Sequence, residues 1–127
     1  MKDGGIMSTT LEWMRGTDQK WPDLSRLDLE NSVFDNAEGV YIVWHGGTQP
    51  EIVAIGQGKI RERLKAELKD QNVRNFEKFK LYVAWAPAEQ NERPGIEKYL
   101  AGKLSPQVDR RVPEGEAITV NLPWKKS

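Results

Sequence analysis

Residues 39–68 read GVYIVWHGGTQPEIVAIGQGKIRERLKAEL and change their hydrophobic period partway through. Gly39 to Trp44 is rich in β-branched and aromatic residues, which pack well on a pleated surface. His45 to Pro50 supplies turn chemistry: two glycines that tolerate positive φ and a proline that fixes φ. Ile52 to Ile55 is the returning strand, and Gly56-Gln57-Gly58 ends it and releases the chain into a helix. In that helix Ile60, Leu64 and Leu68 recur every fourth residue as one apolar stripe. Arg63 and Glu67 fall on its edge, while Arg61, Glu62, Lys65 and Lys69 point further out. Arg63 is therefore expected where the helix meets the sheet, at the rim of a groove beside the glycine backbone. A helix N-terminus fed by glycines also offers free N–H groups to an anion.

The flanking segments extend this unit. Lys80 to Trp85 alternates as a third strand, with Leu81, Val83 and Trp85 on one side and Tyr82 and Ala84 on the other; Pro87 stops it. Asn91 to Leu104 reads as a second helix with Pro94 in its first turn and Ile96, Tyr99, Leu100 and Leu104 buried. Ala117 to Leu122 reads as a last short strand at a sheet edge or on the flank, and Trp124 is placed to close over the core before Lys125 and Lys126. Ahead of the first strand, Ser8 or Thr9 is expected to cap a short helix through Leu11, Trp13, Met14 and Arg15, ended by Gly16. Trp21-Pro22-Asp23 reads as a turn. The fold class is α/β: a small, mainly antiparallel three-stranded central sheet flanked by helices. The order is β-β-α-β-α, with an N-terminal extension over residues 1–38 and a C-terminal strand.

At 127 residues the chain is long enough for one core-bearing domain. It lacks cysteine, which excludes a disulfide framework and thiolate metal sites and fits a cytoplasmic location, and its single histidine argues against a His-rich zinc centre. No run is long and apolar enough to span a bilayer, and the N-terminus lacks a signal-peptide pattern. The formal net charge is zero, but it is unevenly spread: residues 1–38 carry four basic and eight acidic residues, residues 59–80 eight basic and four acidic. The basic excess on and after the first helix is a phosphate-sized footprint, or equally a solvated face laced with ion pairs. The acidic segment is placed to lie across the basic helix and compete with a polyanion.

Gly39-Val40-Tyr41, Ala54-Ile55-Gly56 and Ile60-Arg61-Glu62-Arg63-Leu64 together resemble the opening of a GIY-YIG nuclease domain. The resemblance covers about residues 39–110 and makes residues 39–127 a GIY-YIG-like domain. It implies nucleic acid as partner, DNA favoured, and phosphodiester hydrolysis assisted by Mg²⁺ or Mn²⁺. It assigns Tyr41 to orienting or deprotonating a water, Arg63 to the phosphate oxygens and Glu97 to the metal. Gly56, Gly58, Lys59, Arg61 and Lys65 become candidate nucleic-acid contacts. The chain departs from the family at two places. The second motif tyrosine falls on Ala54, and the helix histidine or tyrosine falls on Glu67, which becomes a candidate second metal ligand. The family asparagine has Asp109 as its nearest counterpart and Gln107 as the second. The alternative is a degenerate module that binds nucleic acid or protein without cutting, the latter through exposed aromatics near Trp13, Trp21 or Trp124.

Each residue also has a plainer role. Tyr41 on a central strand is by default a core tyrosine, although Val40 and Ile42 point to the opposite face and leave it free to line a groove. Arg63 and Glu67 are spaced for an i,i+4 ion pair. Glu97 suits the positive end of a helix dipole. His45 beside Gly46 reads as a solvent-exposed turn residue, with a lesser prospect of replacing the missing histidine. Gly56 and Gly58 permit the strand-to-helix bend.

Overall fold

A computed structural model describes residues 7–14, 21–46, 51–108 and 110–124. Strand β1 is Met7–Ser8, β2 Glu38–His45, β3 Glu51–Lys59, β4 Leu81–Pro87 and β5 Ile118–Thr119; helix α1 is Ile60–Lys69, α2 Gln71–Arg74 and α3 Arg93–Leu104. The central sheet is antiparallel with order β3-β2-β4, and β1 pairs in parallel with β5 in a separate two-stranded sheet. The expected α/β class and β-β-α-β-α order are therefore present.

The run Val40-Tyr41-Ile42-Val43 is buried throughout because both faces of the sheet are covered. Tyr41 and Val43 face a core shared with Leu24, Leu29, Phe34, Ile60, Leu64 and Trp85. Val40 and Ile42 face a second core built on Ile96, Leu100, Ile118 and Val120. Thus α1 and residues 24–37 lie on one face, and α3 with residues 11–13 and 118–124 on the other. Both outer edges of the sheet are partly closed. Gln107 and Val108 donate to the carbonyls of Ile52 and Val53 along β3 (both 2.9 Å), and Met14 donates to Trp85 along β4 (2.8 Å). Covered edges remove templates for pairing with other chains.

Several local expectations are revised. Residues 9–13 form no helix: β1 and the Met14–Trp85 bridge keep this stretch extended, because its side chains pack across the flank of the sheet rather than on one helical face. Its expected end at Arg15 and Gly16 lies outside the described residues, as do Gly47 to Pro50, Asp109, Lys125 and Lys126. Asp23 is not within a simple turn. It bridges to Tyr82 and caps a short 3-10 turn at Leu24–Arg26 by accepting from the Ser25 amide. Strand β3 does not stop at Gly56 but continues to Lys59, since its pairing with β2 runs without a break from Val43/Ala54 to Glu38/Lys59. His45 is not a solvent-exposed turn residue. It ends β2 at 5% exposure, stacked on Phe76 with centroids 5.4 Å apart.

Candidate functional site

The corner where β3 passes into α1 gathers the candidate residues. Gly56 lies opposite Tyr41 in the β2–β3 ladder. A Cβ on Gly56 would lie 2.3 Å from the Tyr41 hydroxyl and 2.5 Å from Cζ. The glycine therefore seats the phenol ring, which lies across the strand where a side chain would otherwise stand. Gly56 is buried and serves the interior rather than a phosphate. Gly58 has φ of +128°, a region where a Cβ is strained, and the Arg63 stem packs on it, with Cγ 3.3 Å from a Cβ built there. The expected bend is thus real at Gly58, and the exposed Arg63 packs its stem against it.

Tyr41 does not line an open groove. It is 0% exposed, and its hydroxyl donates to Glu67 Oε2. Burial, then the nearby Glu67 carboxylate, push its ionisation well above the ordinary tyrosine value. In this setting Tyr41 is a hydrogen-bond donor, not a base. Glu67, 1% exposed, is gripped from its other side by Arg110: Nη1 to Oε2 at 2.6 Å and Nη2 to Oε1 at 2.7 Å. Arg110 Nη2 also reaches Asp70 Oδ2 at 3.0 Å. The hydrogen bond to Glu67 is the main reason the Arg110 guanidinium holds its proton more firmly than usual. Both Glu67 oxygens are engaged, so a cation there would have to displace Arg110. The i,i+4 pair between Arg63 and Glu67 does not form, because Glu67 turns inward.

Arg63 is exposed and makes no salt bridge among the described residues. Glu97, half-buried in the first turns of α3, lies within electrostatic reach of Arg63 and Arg110, and the Gln57 side chain hydrogen-bonds its carboxyl. Burial raises the Glu97 pKa; Gln57 and the two arginines oppose that rise. Gln57 stands opposite Val40 and so faces the α3 side, which explains how a β3 residue meets an α3 carboxylate. Tyr41 also feels the charge of Arg63 and Arg110. Tyr41 and Glu97 therefore both lie within the field of Arg63 and Arg110, with Arg63 exposed, Glu97 half-buried and Tyr41 inside.

The remaining basic candidates divide. Lys59 is exposed at the start of α1, but the first helical amide, that of Ile60, already donates to the Ala37 carbonyl at 3.0 Å. Arg61 is tied to residues 29–35: Nε to the Leu29 carbonyl at 2.6 Å, and Nη2 to the Asn31 carbonyl at 2.9 Å and Asp35 Oδ1 at 2.7 Å. Lys65 pairs with Glu30. The acidic segment therefore occupies the face of α1 that Arg61 and Lys65 share, leaving them committed within the chain.

For a divalent ion the donor set is sparse. Among the described residues no group of three or more His, Asp or Glu converges. Glu97 is the carboxylate beside Arg63, and one carboxylate with waters and a substrate phosphate is a fit for Mg²⁺, not for a closed protein cage.

Arg110 and Gln57 were not foreseen from the sequence. Glu67 had a signal: Ile60, Leu64 and Glu67 follow i, i+4, i+7, the register of a buried helix face. Arg110 had none, since it meets Glu67 across 43 residues of chain. Compared with known protein families, with curated proteins and with solved structures, the chain has no significant match.

Proposed function

We propose that this chain is a GIY-YIG-like nucleic-acid-processing domain that engages one phosphodiester at the corner of β3, α1 and α3. Arg63 is the phosphate-gripping cation, and Glu97 is the carboxylate that would hold Mg²⁺ or Mn²⁺ together with that phosphate. The observation that carries this reading is the pairing of an exposed arginine, free of salt bridges among the described residues, with a half-buried carboxylate from a separate helix. A guanidinium offers a fork of donors suited to two non-bridging oxygens. A bound divalent ion supplies charge neutralisation at the phosphate and leaving oxygen. Tyr41 keeps its proton and acts through Glu67, holding the base of α1 against β2 so that Arg63 is presented at the rim. Gln57 orients the Glu97 carboxyl.

Hydrolysis predicts nicking of supercoiled DNA that needs Mg²⁺ or Mn²⁺ and falls about 100-fold or more in Arg63→Ala and in Glu97→Gln, with both variants folded by circular dichroism. Because burial raises the Glu97 pKa, cleavage should fall with decreasing pH sooner than an ordinary carboxylate would require.

A second reading, binding without hydrolysis, is favoured by Ala54 at the second tyrosine position and by the Glu67–Arg110 pair at the helix histidine position. It predicts salt-sensitive DNA binding that Arg63→Ala weakens and Glu97→Gln leaves intact, with no nicking by the parent chain.

A further inference from the structure

At the far end of α1 from Arg63 lies a cavity of about 400 Å³, lined by Asn72, Asn75, Phe76, Gln107 and Val108. Its size is that of a small-ligand pocket. Asp70 ties two of its walls together. The Asp70 Oδ1 accepts from the Asn72 amide at 2.9 Å, at the start of α2, and its Oδ2 accepts from Arg110 at 3.0 Å, two residues beyond Val108. Gln107 and Val108 are anchored in turn on the β3 carbonyls of Ile52 and Val53. Val108 is buried and Phe76 is half-buried against His45, so these two supply apolar surface. Asn72, Asn75 and Gln107 are exposed. Asn75 Oδ1 accepts from Gln71 Nε2 at 2.9 Å, which leaves its Nδ2 as a donor. The Asn72 and Gln107 carboxamides have no hydrogen-bond partner among the described residues.

A carboxamide both donates and accepts without carrying charge. No described lysine, arginine, aspartate or glutamate lines the cavity, so nothing in its lining favours an ion. Three carboxamides beside apolar surface suit a neutral, flat ligand whose edge both donates and accepts. A nucleobase is such a ligand, and Asn and Gln match the N6 and N7 edge of adenine. Unpaired bases are read in this way, by their edges and against an aromatic or apolar surface. The position agrees with this chemistry. Glu67, one turn on from Arg63, is held by Arg110, and Arg110 also holds Asp70 beside the cavity. Arg63 and Asp70 stand about 10 Å apart along α1, about three nucleotides of a B-form strand. We propose that this cavity receives an unpaired nucleobase, adenine above the others, about three nucleotides from the phosphate gripped by Arg63. The inference rests on the phosphodiester reading and narrows its substrate to DNA that offers an unpaired base.

The test has two arms, both on the whole chain. In the first, adenosine is titrated beside methyl β-glucoside while the side-chain amide signals of Asn72, Asn75 and Gln107 are followed by nitrogen-15 NMR. Adenosine should shift them saturably and the glucoside should not, and Asn72→Ala and Gln107→Ala should each weaken adenosine about fivefold. In the second arm, fluorescence anisotropy compares a duplex carrying one unpaired adenine with the same duplex carrying an abasic site in its place. The unpaired adenine should bind about tenfold tighter, Asn72→Ala should abolish that preference, and both duplexes should share one salt slope because the cavity adds no charge. No saturable shift with adenosine, or an equal shift with the glucoside, would overturn the proposal. Equal affinity for the two duplexes, with binding still dependent on Arg63, would overturn it and leave the phosphodiester reading standing. Adenosine shifts without DNA binding dependent on Arg63 would overturn the phosphodiester reading and the strand register drawn from it, while the base site itself stood.

Discussion

A carboxylate at 1% exposure must be paired or neutralised, and Glu67 is paired twice, by the Tyr41 hydroxyl and by the Arg110 fork. Removing one partner leaves a buried charge short of its compensation. Arg110→Ala should therefore cost roughly 3 kcal/mol in urea unfolding, near the low end for broken buried pairs because Arg110 itself is partly solvated. Tyr41→Phe removes one hydrogen bond to a charged acceptor and should cost about 1–2 kcal/mol. The phenol also sets an alkaline limit. Its folded pKa lies above the unfolded value near ~10, so the fold favours the protonated form. That contribution is complete below the unfolded pKa and is lost as pH climbs towards the folded one. A spectroscopic titration should show one of the three tyrosines ionising only as the chain unfolds. For Glu97 the raised pKa has the same sign: the fold favours its neutral form, and stability from it is lost as pH rises past the unfolded carboxyl value. Glu97→Gln should thus keep or raise the melting temperature at neutral pH; lost nicking in the same variant would support the phosphodiester proposal.

Two cross-element fits depend on particular residues. Strand β3 passes Tyr41 only because Gly56 has no Cβ, so Gly56→Ala drives the ring off its seat and strains the bond to Glu67. Overpacking of this kind costs about 2 kcal/mol; scanning calorimetry should show the drop, and Tyr41→Phe should not rescue it, since ring carbons clash as well. The second fit is the clamp of the 29–35 segment on α1. Arg61 satisfies two backbone carbonyls and Asp35, and Leu29 and Phe34 are buried beneath it. Arg61→Ala should cost about 1.5–3 kcal/mol, and it should raise amide exchange in residues 28–36. Leu24, Leu29 and Phe34 make residues 24–34 part of the core, so under the phosphodiester proposal this segment bounds any footprint on α1. A strict four-residue stripe puts Leu68 inside, and Leu68 does pack against the core, but a 3.6-residue turn buries Glu67 more deeply, where Tyr41 and Arg110 compensate its carboxylate.

At the scale of the whole molecule, charge around α1 is largely spent on internal pairs. With Arg61, Lys65 and Arg110 paired to carboxylates, Arg63 and Lys59 are left, among the described residues, as the basic residues of this corner. If the phosphodiester proposal holds, DNA binding should accordingly have a shallow salt slope, about −2 in log K against log salt for two phosphate contacts; a slope several-fold steeper would place the interface elsewhere. Among the described residues no helix is long and apolar enough to cross a membrane. The three central strands, both long helices and their order were legible from the sequence, because side-chain period and turn residues are local quantities that survive without tertiary context. So was the outward position of Arg63, one turn into a helix entered from a glycine. The tertiary structure alone decided that Tyr41 is sealed inside, that Arg110 completes Glu67, that Gln57 reaches Glu97, and that Gln107 shares a cavity with Asn72 and Asn75. Each of these joins residues distant in the chain, and whether a polar group is buried, paired or free depends on what the opposite element brings to it.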